Sequence, residues 1–290
     1  MHEGNATTTG IARVGIVGSG IMGAGLAEVA AKAGYDVVVR SRSRATADAL
    51  QAALAKGLGK QVERGKLDAA DRDVILKRVT TTDHLGDPHD CDLVIESIVE
   101  DLAVKTELFA ELEQVTKPGA ILATNTSTLP VVEMAVATQR PERVCGIHFF
   151  NPAPAMKLVE IVRPLTAADD TIAAAAAFAA SCGKDVVHVS DRAGFVVNAL
   201  LFPYLNNAVR IYEQGTASLE DIDTAMKGGC NFPMGPFALL DLVGLDTSVS
   251  ILDALYAEFR DPNYAAVPTL RRMVTAGHLG RKTGRGFYTY

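Results

Sequence analysis

The stretch that decides the fold is Arg13–Val29, RVGIVGSGIMGAGLAEV. An apolar run leads into a glycine-rich turn and then into a segment of helical periodicity, which predicts a strand, a turn and a helix. The G-x-G-x-x-G spacing in this setting is typical of dinucleotide binding, because the backbone can approach the pyrophosphate at the helix amino terminus. We therefore expect the turn to bind such a cofactor through Gly18, Gly20, Ile21, Met22 and Gly23.

The second predicted strand ends where NAD enzymes place an acidic residue on the ribose 2′-hydroxyl. After Val37–Val39 the chain instead reads RSRSR over residues 40–44. A carboxylate repels a 2′-phosphate, whereas Ser can hydrogen-bond it and Arg can neutralise its charge. This predicts that Ser41 and Arg42 bind the 2′-phosphate of NADP, with NAD as the alternative cofactor. An ordinary solvated loop is the alternative interpretation of these basic residues.

Composition places the chain among soluble globular proteins. It has 290 residues, of which 48% are hydrophobic and 21% charged, and a formal net charge of -6. A net negative charge argues against binding to nucleic acid or to anionic membranes, and no apolar stretch approaches the ~20 residues that span a bilayer. The four scattered cysteines lack metal-ligand spacing, so we expect free thiols, no metal and a cytoplasmic location. The polar first ten residues predict a disordered tail rather than a signal peptide.

Strand and helix signals alternate up to about residue 190, and only helix signals follow. After the first two strands, the predicted strands are 93–97, 120–123, 144–149, 157–162 and 185–189. The predicted helices are 44–63, 68–77, 101–115, 171–181 and 194–214, with shorter ones from Ser218, Pro236 and Pro268. This pattern predicts an α/β, Rossmann-type doubly wound and mostly parallel sheet over residues 11–190. An all-helical domain is expected over residues 191–290, and the tail over residues 1–10.

Four polar residues lie at the ends of predicted strands or at the start of a predicted helix, where ligands of a doubly wound sheet bind. They are Ser127, His148, Glu160 and Asn198. Oxidation of a hydroxyl group needs a base, which His148 can supply with Glu160 orienting its ring, while Ser127 and Asn198 can hydrogen-bond the substrate oxygen. Each residue also has a structural interpretation, for example Ser127 as the cap of a helix beginning near Thr128.

Nearly the whole chain, from about Ile11 to Tyr290, resembles the 3-hydroxyacyl-CoA dehydrogenase family, and within it the short bacterial 3-hydroxybutyryl-CoA dehydrogenase branch. The similarity lies in specific motifs: VGSGIMGAGLAEVAA, DLVIESIVED, ATNTSTLP, GIHFFNPAPAMKLVEIV, GFVVNALLFPYLNNA, MGPFALLDLVGLD and GRKTGRGFYTY. The resemblance implies that His148 is the general acid/base and Glu160 its partner. It also implies that Ser127 and Asn198 bind the substrate oxygen.

The resemblance implies further contacts with cofactor and substrate. The nicotinamide and ribose end of the site is expected to involve Glu100, Lys105, Asn125 and Asn151. Lys56 and Lys60 match lysines that face the coenzyme A phosphates, and their i, i+4 spacing places them on one helix face. Solvated surface lysines are the alternative. The family resemblance also implies a homodimer through the C-terminal domain, in which Phe237, Leu239, Leu240 and Leu242 form either interface or core.

The implied reaction is the reversible reduction of acetoacetyl-CoA to (3S)-3-hydroxybutyryl-CoA with NADPH. The family pattern has Asp where this chain has Ser41, and NADP is predicted from that departure. Two alternatives stay open: an NAD-dependent enzyme of fatty-acid oxidation and a non-catalytic NADP-binding sensor. Gly194, one turn before Asn198, disagrees with the Lys of β-hydroxyacid dehydrogenases. Phe149 disagrees with the Pro that follows the His in gulonate and carnitine dehydrogenases.

Overall fold

The structure, a computed structural model, describes residues 10–290 and divides the chain between Asp191 and Arg192 into two units. The tail predicted over residues 1–10 lies outside the described residues, except for Gly10. In the described part of the chain, no helix is both long and apolar enough to cross a bilayer.

The first unit is built on an eight-stranded sheet whose strand order is β3-β2-β1-β4-β5-β6-β7-β8. All neighbouring strands are parallel except β6 and β7, which confirms the predicted mostly parallel sheet. In chain order its elements are β1 (Arg13–Val17), α1 (Ile21–Lys32), β2 (Asp36–Arg40), α2 (Arg44–Glu63), α3 (Ala69–Arg78), β3 (Val79–Thr82), β4 (Leu93–Glu96), α4 (Leu102–Val115), β5 (Ile121–Thr124), α5 (Val131–Val136), β6 (Val144–Phe149), β7 (Leu158–Arg163), α6 (Asp169–Ser181) and β8 (Asp185–Ser190).

The central strands are buried along their whole length. Every residue of β4 and β5 is buried, which explains why these strands read as continuous apolar runs rather than as alternating patterns. Their register aligns Val17 with Glu96, and Glu96 with Thr124, so β1, β4 and β5 end at the same edge of the sheet. The polar residues that follow these strands therefore share one edge.

Two elements of the first unit differ from the sequence prediction. Strand β3 was not predicted; its Val and Thr residues are β-branched, but it has only four residues and directly follows a helix. Strands β6 and β7 form an antiparallel pair because the connection between them, residues 150–157, is too short for a helical crossover. This pairing sets His148 directly opposite Glu160.

The second unit is helical over α7 (Val197–Glu213), α8 (Leu219–Cys230), α9 (Pro236–Val243), α10 (Leu245–Phe259) and α11 (Pro268–Thr275). Helix α10 was not predicted, although Leu252 and Leu255 on its inner face are buried. The predicted start of α7 at Gly194 was wrong, because Gly194 and Phe195 have φ values of +73° and +47°. Within this unit, Phe237 and Leu240 are fully buried in the core, whereas Leu242 is 49% exposed.

Candidate active site

In the glycine turn after β1, a side chain at Gly18 or Gly23 would clash with backbone atoms, whereas one at Gly20 would meet no neighbour. Gly18 has φ +123°, and a Cβ there would lie 2.2 Å from the Ser97 carbonyl oxygen; a Cβ on Gly23 would lie 1.9 Å from the Gly18 oxygen. A Cβ on Gly20 would have no neighbour within 4 Å. Gly20 precedes α1, so the backbone is open in front of the helix amino terminus, which fits a dinucleotide pyrophosphate.

The first residue of α1, Ile21, is 78% exposed, and Met22 beside it is partly buried. An aliphatic side chain this exposed at the mouth of the turn offers an apolar surface against which a bound dinucleotide can pack. Among the five turn residues predicted from the sequence, Gly20 and Ile21 therefore face open space, whereas Gly18 and Gly23 pack against backbone atoms.

Ser41 lies at the centre of a hydroxyl cluster beyond β2. Its side-chain oxygen is 2.5 Å from Ser19 Oγ and 2.5 Å from Thr46 Oγ1, and its amide donates to the Thr82 carbonyl at 2.8 Å. Ser41 is only 1% exposed, so its hydroxyl organises the turn and the start of α2. No carboxylate takes part in these contacts, in contrast to the acidic residue that NAD enzymes place there.

The arginines around Ser41 differ in whether their side chains already have hydrogen-bond partners. Arg44 is engaged with Asp48 at 2.5 Å and with the Thr81 carbonyl at 3.1 Å. Arg42 is exposed and forms no hydrogen bond or ion pair with any described residue. Arg40 is partly buried, and its Nε has no hydrogen-bond partner within the described chain. Arg42 is thus a cation beside the hydroxyl cluster that is not already neutralised by a carboxylate.

His148 is held between Glu160 on the neighbouring strand and Ser127 in the segment that follows β5. Its Nδ1 lies 2.8 Å from Glu160 Oε2 on β7, and its Nε2 lies 3.1 Å from Ser127 Oγ, beyond β5. His148 is 3% exposed and Glu160 is fully buried. The carboxylate can only accept, so Nδ1 carries a proton and Nε2 of the neutral ring accepts the Ser127 hydroxyl. This arrangement suits a histidine that exchanges a proton at Nε2 with a substrate oxygen.

A second polar network supports the segment that carries Ser127. Glu100 Oε1 accepts the Ser127 amide at 3.0 Å and the Thr126 hydroxyl at 2.5 Å, while its Oε2 lies 3.2 Å from Lys105 Nζ. Lys105 is itself only 1% exposed and pairs with Glu96 at 2.6 Å. Glu96 was missed from the sequence, where a Glu ending the apolar strand of the DLVIESIVED motif was the available signal.

The segment after β5 does not fold as the capping interpretation of Ser127 expected. Helix α5 begins at Val131, and the amides of Val131 and Val132 donate to the Asp191 carboxylate at 2.9 and 2.8 Å. Asn125 Oδ1 accepts the Phe149 amide at 2.8 Å and so joins the ends of β5 and β6. The Ser127 hydroxyl therefore contacts His148 and does not cap a helix.

Three of the remaining predicted residues lie outside these networks. Lys56 and Lys60 are exposed on α2, one turn apart, and neither makes an ion pair with a described residue. Asn151 is exposed in the connection between β6 and β7. The contacts within the first unit therefore join His148, Glu160, Ser127, Glu100 and Lys105, but not these three residues. Asn198 belongs to the second unit, in the first turn of α7.

The four cysteines are free, as expected, and Cys91 and Cys145 are buried. Burial raises the pKa of Cys91, Cys145 and Cys182 to about 12, so these thiols stay protonated at neutral pH. Cys230 is exposed. Within residues 10–290, no group of three or more His, Cys, Asp or Glu side chains is arranged to hold a metal ion.

Comparison with known proteins gives matches along the whole folded chain. Residues 13–192 match the model of the 3-hydroxyacyl-CoA dehydrogenase NAD binding domain, and residues 194–290 match the C-terminal domain of the same dehydrogenases. A 3-hydroxybutyryl-CoA dehydrogenase of Mycobacterium tuberculosis is 51% identical over 282 residues, covering 97% of this chain and 99% of the relative. One from Clostridioides difficile is 46% identical and covers 96% and 99%.

Solved structures give the same result. The crystal structure of (S)-3-hydroxybutyryl-CoA dehydrogenase from Ralstonia eutropha superposes with a TM-score of 0.94 at 41% identity. The superposition covers 97% of this chain and 99% of that one. The similarity therefore extends over both units rather than over the nucleotide-binding fold alone.

Proposed function

The chain belongs to the 3-hydroxyacyl-CoA dehydrogenase family, and from this premise we propose that it interconverts acetoacetyl-CoA and (3S)-3-hydroxybutyryl-CoA with a nicotinamide dinucleotide. The observation that carries the proposal is the buried His148–Glu160 pair, in which His148 Nε2 lies 3.1 Å from Ser127 Oγ. That arrangement supplies a proton to an oxygen and lies on the sheet that also carries the open glycine turn. Relatives named for this reaction cover nearly the whole chain.

In the reductive direction, His148 donates the proton from Nε2 to the oxygen on C3 of the acyl chain. A dinucleotide held at the glycine turn in front of α1 would supply the hydride that C3 accepts. Glu160 stabilises the imidazolium before this transfer and keeps the proton on Nδ1 throughout. In the oxidative direction the neutral ring takes the hydroxyl proton back.

Ser127 is proposed to hydrogen-bond the substrate oxygen beside His148. Its hydroxyl lies 3.1 Å from His148 Nε2, so one substrate oxygen placed beside the pair can contact both groups. Asn198 is proposed as a second ligand of this oxygen, and this assignment rests on the family resemblance alone. Glu100, Lys105, Asn125 and Asn151 are proposed to line the cofactor end of the site on the same basis.

The direct test of the reaction is the initial rate of NADPH and NADH oxidation with acetoacetyl-CoA, followed by longer 3-oxoacyl-CoA substrates. We expect turnover that is fastest with the short chain. A protein that binds the dinucleotide but turns over none of these substrates would be a sensor, and the proposed reaction would be wrong.

NADP is the proposed cofactor. The hydroxyl cluster of Ser41, Ser19 and Thr46 contains no carboxylate to repel a 2′-phosphate, and Arg42 next to it is a cation with no ion-pair partner among the described residues. The burial of Ser41 supports a division of roles, in which Ser41 shapes the turn and Arg42 supplies the charge. NAD is the cofactor if wild-type kcat/KM with NADH exceeds that with NADPH.

The cofactor proposal is tested with Ser41→Asp combined with Arg42→Ala. A charge-assisted hydrogen bond is worth about 1.5–3 kcal/mol, so we expect the NADPH/NADH ratio of kcat/KM to fall about 10- to 150-fold. Arg44→Gln is the matched control, because Arg44 is already engaged with Asp48 and Thr81. An unchanged ratio in the double variant, or an equal fall in the control, contradicts the proposal.

Lys56 and Lys60 are proposed to contact the coenzyme A phosphates. They are exposed, lie one turn apart and carry no competing carboxylate partner among the described residues. Replacing both by Ala is expected to raise KM for acetoacetyl-CoA severalfold at low salt and less at high salt, with kcat retained. An unchanged KM would identify them as ordinary solvated lysines.

A homodimer through the second unit is also proposed. Apolar side chains at the surface of that unit support it, among them Leu200, Ile211 and Leu242, which are 72%, 42% and 49% exposed. Light scattering at micromolar concentration is expected to give twice the chain mass, and a monomer would contradict the proposal.

A further inference from the structure

Glu96 is a buried carboxylate that the proposed chemistry does not use directly. It ends β4 with no exposed surface, and it accepts hydrogen bonds from Lys105 Nζ at 2.6 Å, the Ile98 amide at 2.6 Å and the Thr124 hydroxyl at 2.7 Å. A buried ion pair brings little net stability, because removing both charges from water costs about as much as their attraction returns. Its location between the glycine turn and the Ser127 segment suggests a role in arranging the site.

A continuous set of contacts leads from Glu96 to His148. Lys105 Nζ bridges Glu96 Oε1 and Glu100 Oε2, at 2.6 and 3.2 Å. Glu100 Oε1 then accepts the Ser127 amide, and Ser127 Oγ lies 3.1 Å from His148 Nε2. Each contact joins neighbouring segments at the same edge of the sheet.

The two carboxylates on Lys105 differ in how firmly they are fixed. Each accepts from two further donors, but Glu96 is fully buried, whereas the side chain of Glu100 is 42% exposed. The firmly held carboxylate determines where the ammonium group lies, and the ammonium group in turn restrains the exposed carboxylate. Without Glu96, Lys105 would be drawn towards Glu100, and Glu100 away from the Ser127 amide.

We propose that Glu96 is a positioning residue, which fixes Ser127 against His148 through Lys105 and Glu100. This inference rests on the proposed function, because Ser127 must act on the substrate for its position to matter. It assigns a role in the reaction to a residue that touches neither substrate nor cofactor.

Glu96→Gln tests the inference with little disturbance of packing. The Gln oxygen can keep the Lys105 and Ile98 contacts, and the Thr124 hydroxyl can reverse to accept from the new amide nitrogen. Only the charge is then lost. We expect kcat to fall about tenfold or more, and amide exchange of the peptide that contains Ser127 to become faster.

The informative readout is a double-mutant cycle with Ser127→Ala. If Glu96 acts through Ser127, Glu96→Gln in the Ser127→Ala background should lower kcat by less than about threefold. Glu113→Gln is the matched control: Glu113 is on the last turn of the same helix, α4, and accepts the Gln139 amide at 2.7 Å. The control should leave kcat and the exchange of the Ser127 peptide near wild type.

Several results would overturn the inference. One is a loss of kcat on Glu96→Gln that is equal in the wild-type and Ser127→Ala backgrounds. Another is a Glu96→Gln enzyme whose kcat is within twofold of wild type, and a third is unchanged amide exchange of the peptide that contains Ser127. If Glu96→Gln does not fold, Glu96→Asp, which keeps the charge but withdraws it from Lys105, should give a smaller loss, about threefold, that also disappears in Ser127→Ala. Wild-type turnover is measured first, because its absence refutes the proposed function. If the wild type turns over normally but the kcat losses of Glu96→Gln and Ser127→Ala are independent of each other, only the role of Glu96 is refuted.

Discussion

Replacing Glu160 by Gln removes the negative charge beside His148 and keeps the shape of the side chain. In the wild type, Glu160 Oε2 lies 2.8 Å from His148 Nδ1, and both side chains are almost completely shielded from water. The Gln oxygen can still accept from Nδ1, so the ring stays in place. What the variant loses is the stabilisation of the imidazolium that carries the proton for transfer.

The size of the effect follows from this contact. A hydrogen bond to a charged group is worth about 1.5–3 kcal/mol, and each 1.36 kcal/mol changes a rate tenfold. We therefore expect kcat for acetoacetyl-CoA reduction to fall about 10- to 150-fold. KM should change little, because Glu160 is buried behind the histidine and is not placed to touch the substrate.

The assay is the initial rate of NADPH oxidation at saturating acetoacetyl-CoA. Glu111→Gln, which changes an exposed carboxylate on α4, is the control for the charge change alone and should retain wild-type kcat. A Glu160→Gln enzyme within threefold of wild-type kcat, while still folded, would refute the reasoning.

Three further predictions concern stability and thiol reactivity. A thiol reagent at pH 8 should modify Cys230 quickly and the three thiols with pKa values of about 12 slowly: Cys91, Cys145 and Cys182. Asp241→Asn should lower the free energy of unfolding of the second unit by about 2–3 kcal/mol in urea titrations, because the buried carboxylate accepts the amides of Phe287 and Tyr288 at 2.9 and 2.8 Å. Burial acts to raise the pKa of Asp92, but hydrogen bonds from Lys117 and two backbone amides outweigh it and lower the pKa. The charged form of Asp92 therefore stabilises the fold above its unfolded pKa of about 3.9, and this contribution is lost as the pH falls through the lower folded value.

Each of these predictions has a result that would contradict it. Two or more thiols reacting at the same fast rate would show that burial does not protect them. An Asp241→Asn protein as stable as wild type would show that its backbone contacts are dispensable. For Asp92→Asn, the loss of stability should be full near neutral pH and shrink below about pH 4; a loss that grows with acidity would reverse the sign assigned to Asp92.

The alternation of apolar runs and helical segments was sufficient to predict the mostly parallel sheet and the helical second unit. Strand β3 was missed because one valine and three threonines directly after a helix carry no periodic signal. Helix α10 was missed because it follows α9 after Gly244 alone, so that two helices read as one apolar region. Both elements owe their structure to neighbours that a local pattern does not contain.

Within the site, residue types were predictable but their contacts were not. The sequence indicated that Ser41 binds a phosphate directly, yet its partners Ser19 and Thr46 come from separate segments and bury it. The network of Glu96 likewise depends on the register of β4 with β5. Such contacts arise only when distant segments pack together, so a pattern of residue types cannot specify them.

The central claim is that His148 transfers the proton while a nicotinamide dinucleotide reduces acetoacetyl-CoA. It is tested most directly by the rate of NADPH oxidation with acetoacetyl-CoA in the wild type and in His148→Gln, with dinucleotide binding measured for both. We expect clear turnover by the wild type, and a variant that binds the dinucleotide normally but turns over about 10²–10⁴ times more slowly. Absence of turnover by the wild type, or a variant within a few-fold of it, would contradict the claim.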